Sequence, residues 1–217
     1  MKDSTQKIKT LIQCDFDGTI TQEDESFLLL DAFADGNWRQ LLSEYREGRI
    51  SVGDFNTRAF AMVKTDKQTL TDFTRRTVQV RDGFDKLVSH CRKKGFKLVI
   101  VSNGLDFYIK ATLQDIGMDN ITVFAAQTKF ASSGLDVKYI GPDGSQLQDG
   151  FKEAYTKSFL GDGYRIIYFG NGPSDMPAAN LAHRTFATGE LLALCKKISF
   201  QCTSFTDFNV VIRDLEL

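Results

Sequence analysis

The chain has 217 residues, 42% of them hydrophobic and 25% charged, with a formal net charge of -1. That length can bury a full core, and it suits one domain carrying a sizeable insertion better than two independent domains. The balanced charge argues against a basic nucleic-acid surface or an acidic tail, and no stretch approaches membrane-spanning length.

Met1 to Lys9 is polar, and Leu11-Ile12 is too short an apolar run to serve as a signal peptide. Thr10 to Cys14 is apolar and runs into Asp-Phe-Asp-Gly-Thr, which predicts a buried strand ending in a tight turn. From about Asp24 to Val78 the patterning is helical. Leu28, Leu29, Ala32 and Phe33 mark one helix, and Leu41, Leu42 and Tyr45 mark a second. A third starts near Ser51, with Asp54 as a partial capping signal, and a fourth covers about Lys67 to Val78. Phe84, Leu87, Val88 and Cys91 predict an amphipathic helix ending at Gly95. Phe96 to Val101 reads as a strand ending at Ser102-Asn103-Gly104. Leu105, Ile109, Leu113 and Ile116 then share a helix face that Gly117 closes.

Ile121 to Ala126 is a strand, and Leu135 to Ile140 before Gly-Pro-Asp-Gly suggests a β-excursion with a turn. Helix Phe151 to Leu160, strand Tyr164 to Phe169, helix Ser174 to Ala182, strand Thr185 to Ala187 and helix Leu191 to Ile198 follow. A last short strand and helix close the chain. Such alternation predicts an α/β fold: a doubly wound, parallel, Rossmann-like sheet with helices on both faces. The expected division is a core of residues 1–22 and 80–217, with an inserted all-helical cap at 23–79. The four cysteines (Cys14, Cys91, Cys195, Cys202) form no Cys-x-x-Cys pair, so buried free thiols in a reducing cytoplasm are expected.

Ligands of such sheets bind at the carboxyl ends of the strands. Three polar motifs fall there: Asp15 to Thr19, Ser102 to Gly104, and Gly170 to Asp175, with Lys152 opening the helix before the third. Phosphate-ester hydrolysis needs a nucleophile, a proton donor for the leaving alkoxide and positive charge around the transferring group. A carboxylate is already ionised at neutral pH and gives an acyl phosphate that water can attack. Asp15 and Asp17, two apart on an extended segment, face one site and can divide the roles of nucleophile and general acid/base. Gly18 lets the turn approach a phosphate and present backbone N–H groups. A magnesium ion would offset the repulsion between these carboxylates and the phosphate.

Asp15-Phe-Asp-Gly-Thr-Ile-Thr21 resembles the first motif of the haloacid dehalogenase-like phosphatases. Ser102-Asn103-Gly104 resembles their second motif, Lys152 the third and Gly170-Asn-Gly-Pro-Ser-Asp175 the fourth, in the family's order. The helical insertion is similar to the cap of the phosphoserine-phosphatase-like branch. Within it, the chain looks closest to methionine-salvage phosphatases that act on a methylthio-hydroxyketopentenyl phosphate. The resemblance implies Asp15 as nucleophile, Asp17 as general acid/base and Lys152 as the cation balancing nucleophile and phosphate. Ser102, the Asn103 N–H, Gly104, Gly18 and Thr19 would surround the phosphate. Magnesium would be held by the Asp15 carboxylate, the Asp17 carbonyl and the fourth motif, through Asn171 and Asp175.

One departure stands out: the family's fourth motif usually opens Gly-Asp, whereas this chain reads Gly170-Asn171, with one negative charge fewer. Lys157, one turn beyond Lys152, is the rival cation, and Ser102-Asn103-Gly104 alone would read as a strand-to-helix turn. His90 and His183 are expected at the surface or helix ends. Arg39, Arg58, Arg75 and Arg76 are expected as solvated charges, one of which an anionic substrate could recruit. Phe27, Phe33, Phe55, Phe60 and Phe73 should hold the cap helices together, with one or two free to line a substrate pocket. Asp24 stands where phosphoserine phosphatases resembling this chain carry a glutamate for the substrate amino group. Its shorter side chain points toward the salvage branch. The expected function is a magnesium-dependent phosphatase of a small-molecule phosphate ester. Phosphoserine phosphatase is the alternative, and a non-catalytic phospholigand-binding protein is a second, favoured by Asn171.

Overall fold

The computed structural model describes residues 8–216. Among the described residues there are eight strands: β1 (Lys9–Cys14), β2 (Lys97–Leu105), β3 (Thr122–Ala131), β4 (Gly134–Ile140), β5 (Gln146–Leu147), β6 (Tyr164–Gly170), β7 (Arg184–Ala187) and β8 (Thr203–Ser204). They form one sheet in the order β5-β4-β3-β2-β1-β6-β7-β8. All pairs from β3 to β8 across the sheet are parallel, whereas β3–β4 and β4–β5 are antiparallel. Leu11, Ile12 and Cys14 on β1 and Val99, Ile100 and Val101 on β2 are wholly buried, as strands covered on both faces should be.

Ten helices accompany the strands among the described residues: α1 (Glu25–Phe33), α2 (Trp38–Arg46), α3 (Val52–Phe60), α4 (Lys67–Thr77), α5 (Phe84–Lys94), α6 (Asp106–Asp115), α7 (Phe151–Gly161), α8 (Met176–Ala179), α9 (Gly189–Lys197) and α10 (Phe208–Leu215). Helices α5, α6, α7 and α8 pack on the strands, which gives the α/β class read from the alternation. The first four helices follow one another between β1 and α5. Side chains of Asp24, Ser51 and Asp66 cap α1, α3 and α4 by accepting from Phe27, Asp54 and Thr69 N–H groups. Aromatic contacts tie these helices together: Phe27 to Trp38 at 5.4 Å, Phe33 to Phe73 at 5.1 Å, and Tyr45 stacked on Phe55 at 5.9 Å. Polar contacts join α3 to the β4–β5 side, where the Ser51 hydroxyl donates to Gln148 O and Thr57 to Val137 O.

Several expectations change at element ends. β2 runs on through Ser102-Asn103-Gly104 to Leu105, and its pairing with β3 breaks register between Val101 and Leu105. β3 extends to Ala131 and makes an antiparallel hairpin with β4, longer than the expected strand to Ala126. The helix expected over Ser174 to Ala182 shrinks to a 3-10 turn at Pro173–Asp175 followed by the four residues of α8, with prolines in both first turns. Ile116 lies exposed beyond the end of α6 instead of on its buried face. His90 is buried, not at the surface, with its ring 6.2 Å from that of Phe96. His183 accepts from the Ile166 N–H through Nδ1. All four cysteines are free thiols; Cys14, Cys91 and Cys195 are buried and Cys202 is half-buried.

Candidate active site

Strand order reverses at β1, whose neighbours are β2 on one side and β6 on the other. Chain segments leaving these strands diverge there and open a crevice at their carboxyl ends. Cys14 pairs with Ile100 and with Phe169, so Asp15, Ser102 and Gly170 all emerge at one edge. The Asp15 N–H extends the pairing by one more bond, to Phe169 O at 3.0 Å.

Lys152, on the first turn of α7, is 3% exposed and ends 2.8 Å from Asp15 Oδ2 and 2.6 Å from Asp175 Oδ1. The helix is set by a buried glutamine: Gln13 Nε2 donates to Lys152 O at 3.0 Å, and Thr156 donates to Gln13 Oε1 at 2.8 Å. Burial works against the Lys152 charge, but the Asp15 and Asp175 carboxylates outweigh it and raise its pKa. Burial first, then the nearby Asp175, pushes Asp15 up to about 7, with Lys152 pulling the other way. Lys157, the rival cation, is exposed and paired with Glu153.

Asp17 is buried, and both its oxygens are held: Oδ1 accepts from Glu25 N–H at 3.1 Å and Oδ2 from the Tyr108 hydroxyl at 2.6 Å. Its burial, with Asp24 nearby, raises its pKa well above the usual carboxylate range. Asp24 caps α1 through Phe27 N–H and is pushed up to about 6 by burial. Ser102 Oγ accepts from Gly104 N–H at 3.0 Å. The Asn103 carbonyl is gripped by Asn56 Nδ2 from α3 at 3.1 Å and by the Tyr139 hydroxyl from β4 at 2.7 Å. Its side-chain Oδ1 is buried without a hydrogen-bond partner among the described residues.

The fourth motif coils around Asp175, which is wholly buried. Oδ1 accepts from Lys152 and from the Tyr168 hydroxyl, each at 2.6 Å, and Oδ2 accepts from the Asn171 and Gly172 N–H groups, each at 2.9 Å. A carboxylate has about four acceptor positions, and all are taken. Asp175 therefore anchors Lys152 and the loop, where a metal ligand was expected. Thr19 also departs from expectation: it is wholly buried and its hydroxyl donates to Asn171 Oδ1 at 3.2 Å. Gly18 does not offer its N–H either, since Glu23 O and Thr21 Oγ1 accept it, each at 3.0 Å. What the glycine supplies is a left-handed turn, φ +67°, and room for the Asn171 amide, which a Cβ would overlap.

A cavity of about 970 Å3 covers this edge. Its floor is Asp15, Asp17, Asp24, Ser102, Asn103, Gly104, Lys152 and Asn171, and its roof is formed by α1, α2 and α3. Phe27, Leu42, Tyr45, Ile50, Val52 and Phe55 make an apolar wall, and Arg46, Arg49, Asp54 and Glu190 supply charge. Arg39, Arg58 and Arg75 are exposed, as expected, and pair with Asp31, Glu44 and Asp115, and none of the three lines the cavity.

The donor set suits a hard cation: the Asp15 carboxylate, the Asp17 carbonyl and Asn171 Oδ1 are all oxygens, and Gly18 makes the space that brings the Asn171 side chain to the first motif. No described residue donates a hydrogen bond to the Asp17 carbonyl. Among the described residues no group of three or more His, Cys, Asp or Glu side chains forms a metal cage. An ion that keeps several waters and needs only one or two carboxylates fits this set; a fully protein-ligated one does not.

A family model of haloacid dehalogenase-like hydrolases matches residues 12–180, from β1 through the fourth motif. The chain belongs to that family. It is 27% identical to a 2-hydroxy-3-keto-5-methylthiopentenyl-1-phosphate phosphatase of Geobacillus thermodenitrificans, over 97% of each chain. It is 29% identical to a protein of the same name from Bacillus velezensis, over 95% of this chain and 89% of that one. The fold is that of a phosphoserine phosphatase solved as a phospho-aspartyl intermediate analogue, with a TM-score of 0.70 at 17% identity, covering 95% of this chain and 99% of that one. The chain is thus an enzyme, a phosphatase of the haloacid dehalogenase-like hydrolases.

Sequence reading of this family member missed the supports behind its motif residues. Arg81, at the far end of the helical insertion, donates to the carbonyls of Gly18 and Thr19 at 2.8 Å each and of Thr206 at 2.9 Å, which ties the first motif to the chain's last segment. Gln13, Tyr108 and Tyr168 are wholly buried polar groups. A polar residue inside an otherwise apolar run was the signal available for Gln13 and Tyr168, since burying such a group demands a partner.

Proposed function

We propose that the protein is a magnesium-dependent phosphatase of a small phosphate ester and works through an aspartyl-phosphate on Asp15. The observation that carries the reading is one buried cation, Lys152, placed 2.8 Å from the Asp15 carboxylate, with Asp17 across the same cavity floor. An Asp15 oxygen attacks phosphorus, the ester P–O bond breaks, and Asp17 delivers its proton to the departing alkoxide. Asp17, now ionised, takes a proton from water as that water attacks the acyl phosphate. Inorganic phosphate leaves and Asp15 is regenerated. The raised pKa of Asp17 suits the first duty, because burial disfavours the charged form and so favours a carboxyl that can donate.

Lys152 offsets the charge of nucleophile and phosphate, and Ser102 Oγ with the Asn103 N–H holds phosphate oxygens, the Gly104 N–H being already given to Ser102. Asp15, the Asp17 carbonyl and Asn171 would hold magnesium, which when bound supplies positive charge against the transferring phosphoryl group. The helices at 23–79 act as the cap that chooses the substrate, over a core of residues 1–22 and 80–217. Their apolar wall, set above an acidic and cationic floor, favours an ester with an uncharged tail. The relatives' named substrate, with a methylthio group at the far end from its phosphate, has that two-ended chemistry. Asp24 also lines the cavity and would meet a hydroxyl or keto-enol group of such a substrate. These features favour a salvage-type substrate over phosphoserine, and the cytoplasm is the compartment proposed from the free thiols.

Hydrolysis of p-nitrophenyl phosphate with and without magnesium, in wild type and Asp15→Asn, tests the reading. Metal-dependent turnover that disappears in the variant is expected. Turnover retained by Asp15→Asn would overturn the assignment of the nucleophile.

A further inference from the structure

Tyr108 stands wholly buried on α6, its ring packed between Phe16 and Phe107. A phenylalanine would fill that space; a hydroxyl there is costly unless it is bonded. It is bonded twice, to Asp17 Oδ2 at 2.6 Å and to Ser26 Oγ at 2.8 Å. A phenol has one proton, and here it goes to the carboxylate. Ser26 is therefore the donor in the other bond, so the chain of donation runs Ser26 to Tyr108 to Asp17. It begins on α1, crosses α6 and ends on the loop after β1.

Gly104 makes room for this arrangement. A Cβ at that position would overlap both the Tyr108 hydroxyl and Asp17 Oδ2. The second motif's glycine thus serves the first motif's second aspartate. Glu25 N–H, the first amide of α1, takes the other Asp17 oxygen at 3.1 Å. Release of that one backbone bond frees Oδ1 while Tyr108 still fixes Oδ2.

We propose that Tyr108 is a positioning residue that anchors Asp17 through Oδ2 so that Oδ1 meets the leaving oxygen and, later, the attacking water. The inference rests on the reading of Asp17 as the general acid/base. In the first half-reaction the ester P–O electron pair moves onto the leaving oxygen. An alkoxide needs the Asp17 proton at that moment, whereas p-nitrophenolate is stable without it. Loss of Asp17 alignment therefore harms an alkyl ester more than an aryl one, a bias that a general loosening of the fold does not produce.

The experiment compares kcat/KM of wild type and Tyr108→Phe on butyl phosphate and p-nitrophenyl phosphate, because kcat/KM reports the steps up to loss of the alcohol. The expected result is a fall roughly tenfold or more greater on butyl phosphate, with KM for both esters changing by less than about twofold. Equal losses on the two esters, or no loss, overturn the proposal. Wild type that turns over neither ester overturns the phosphatase reading instead, and the tyrosine is then read by proton NMR. A slowly exchanging, downfield hydroxyl proton, missing in Tyr108→Phe and displaced in Asp17→Asn, is expected. Its absence from wild type overturns the pairing itself.

Discussion

Lys152 is shared by two carboxylates, Asp15 and Asp175, and only the first of these faces the cavity. With Asp175 saturated by four donors, Asn171 is the fourth-motif side chain proposed to meet a cation at the floor. An amide oxygen there carries no formal charge, so a carboxylate in its place adds one unit of attraction. Asn171→Asp should tighten magnesium binding by roughly tenfold, an effect of about 1.4 kcal/mol within the usual range for a close charge in a partly wet site. Magnesium titration of the activity reads this, and an unchanged dependence would count against Asn171 as a ligand. At this scale the sequence was informative where a motif sets spacing: Asp15, Asp17, Ser102 and Lys152 meet on one floor, as their places at strand and helix ends imply. It was silent on Tyr108, which meets Asp17 across 91 positions, and on Asn56, which meets Asn103 across 47. Such partners are fixed by the packing of distant elements, and no local pattern encodes them.

The helices at 23–79 join the sheet through two short connections, and Glu25 lies between them. Its Oε2 accepts from the Thr77 hydroxyl at 3.0 Å, linking the start of α1 to the end of α4, and its Oε1 is buried with no partner among the described residues. Burial pushes this carboxyl up from 4.5 to about 7. An acid whose folded pKa is raised is stabilised in its neutral form, so its favourable contribution is full below about pH 4.5 and is lost as pH rises through about 7. The stability of Glu25→Gln minus that of wild type should therefore climb over this window. At about 1.4 kcal/mol per unit the climb is about 3 kcal/mol at most. Urea unfolding at pH 4.5 and pH 8 measures it, and a pH-independent difference would contradict the placement. Elements themselves were legible wherever the pattern was strong, as in α5 with its glycine stop and in β1 and β6 with their largely apolar runs. Boundaries were not. β3 continues past Ala126 because β4 supplies its hydrogen bonds, and α8 begins only after a 3-10 turn and ends at Ala179.

At the scale of the whole molecule, a sheet with its strand order reversing at β1 gathers three loops at one edge, and three of the four helices inserted after the first loop, α1, α2 and α3, roof them. The fold class was readable because alternation of strand and helix admits few topologies. The shape and lining of the cavity were not, because Arg46, Arg49, Ile50 and Phe55 reach it only through the docking of α2 and α3 over the loops. On the proposed mechanism, a phosphoryl group passes covalently through Asp15. Acid quenching of enzyme during turnover of p-nitrophenyl phosphate, followed by mass spectrometry of its peptides, tests that claim most directly. The account predicts one phosphoryl group on Asp15, labile to hydroxylamine and absent from Asp15→Asn. A phosphoryl group on another residue, or turnover by an enzyme that never carries one, would contradict it.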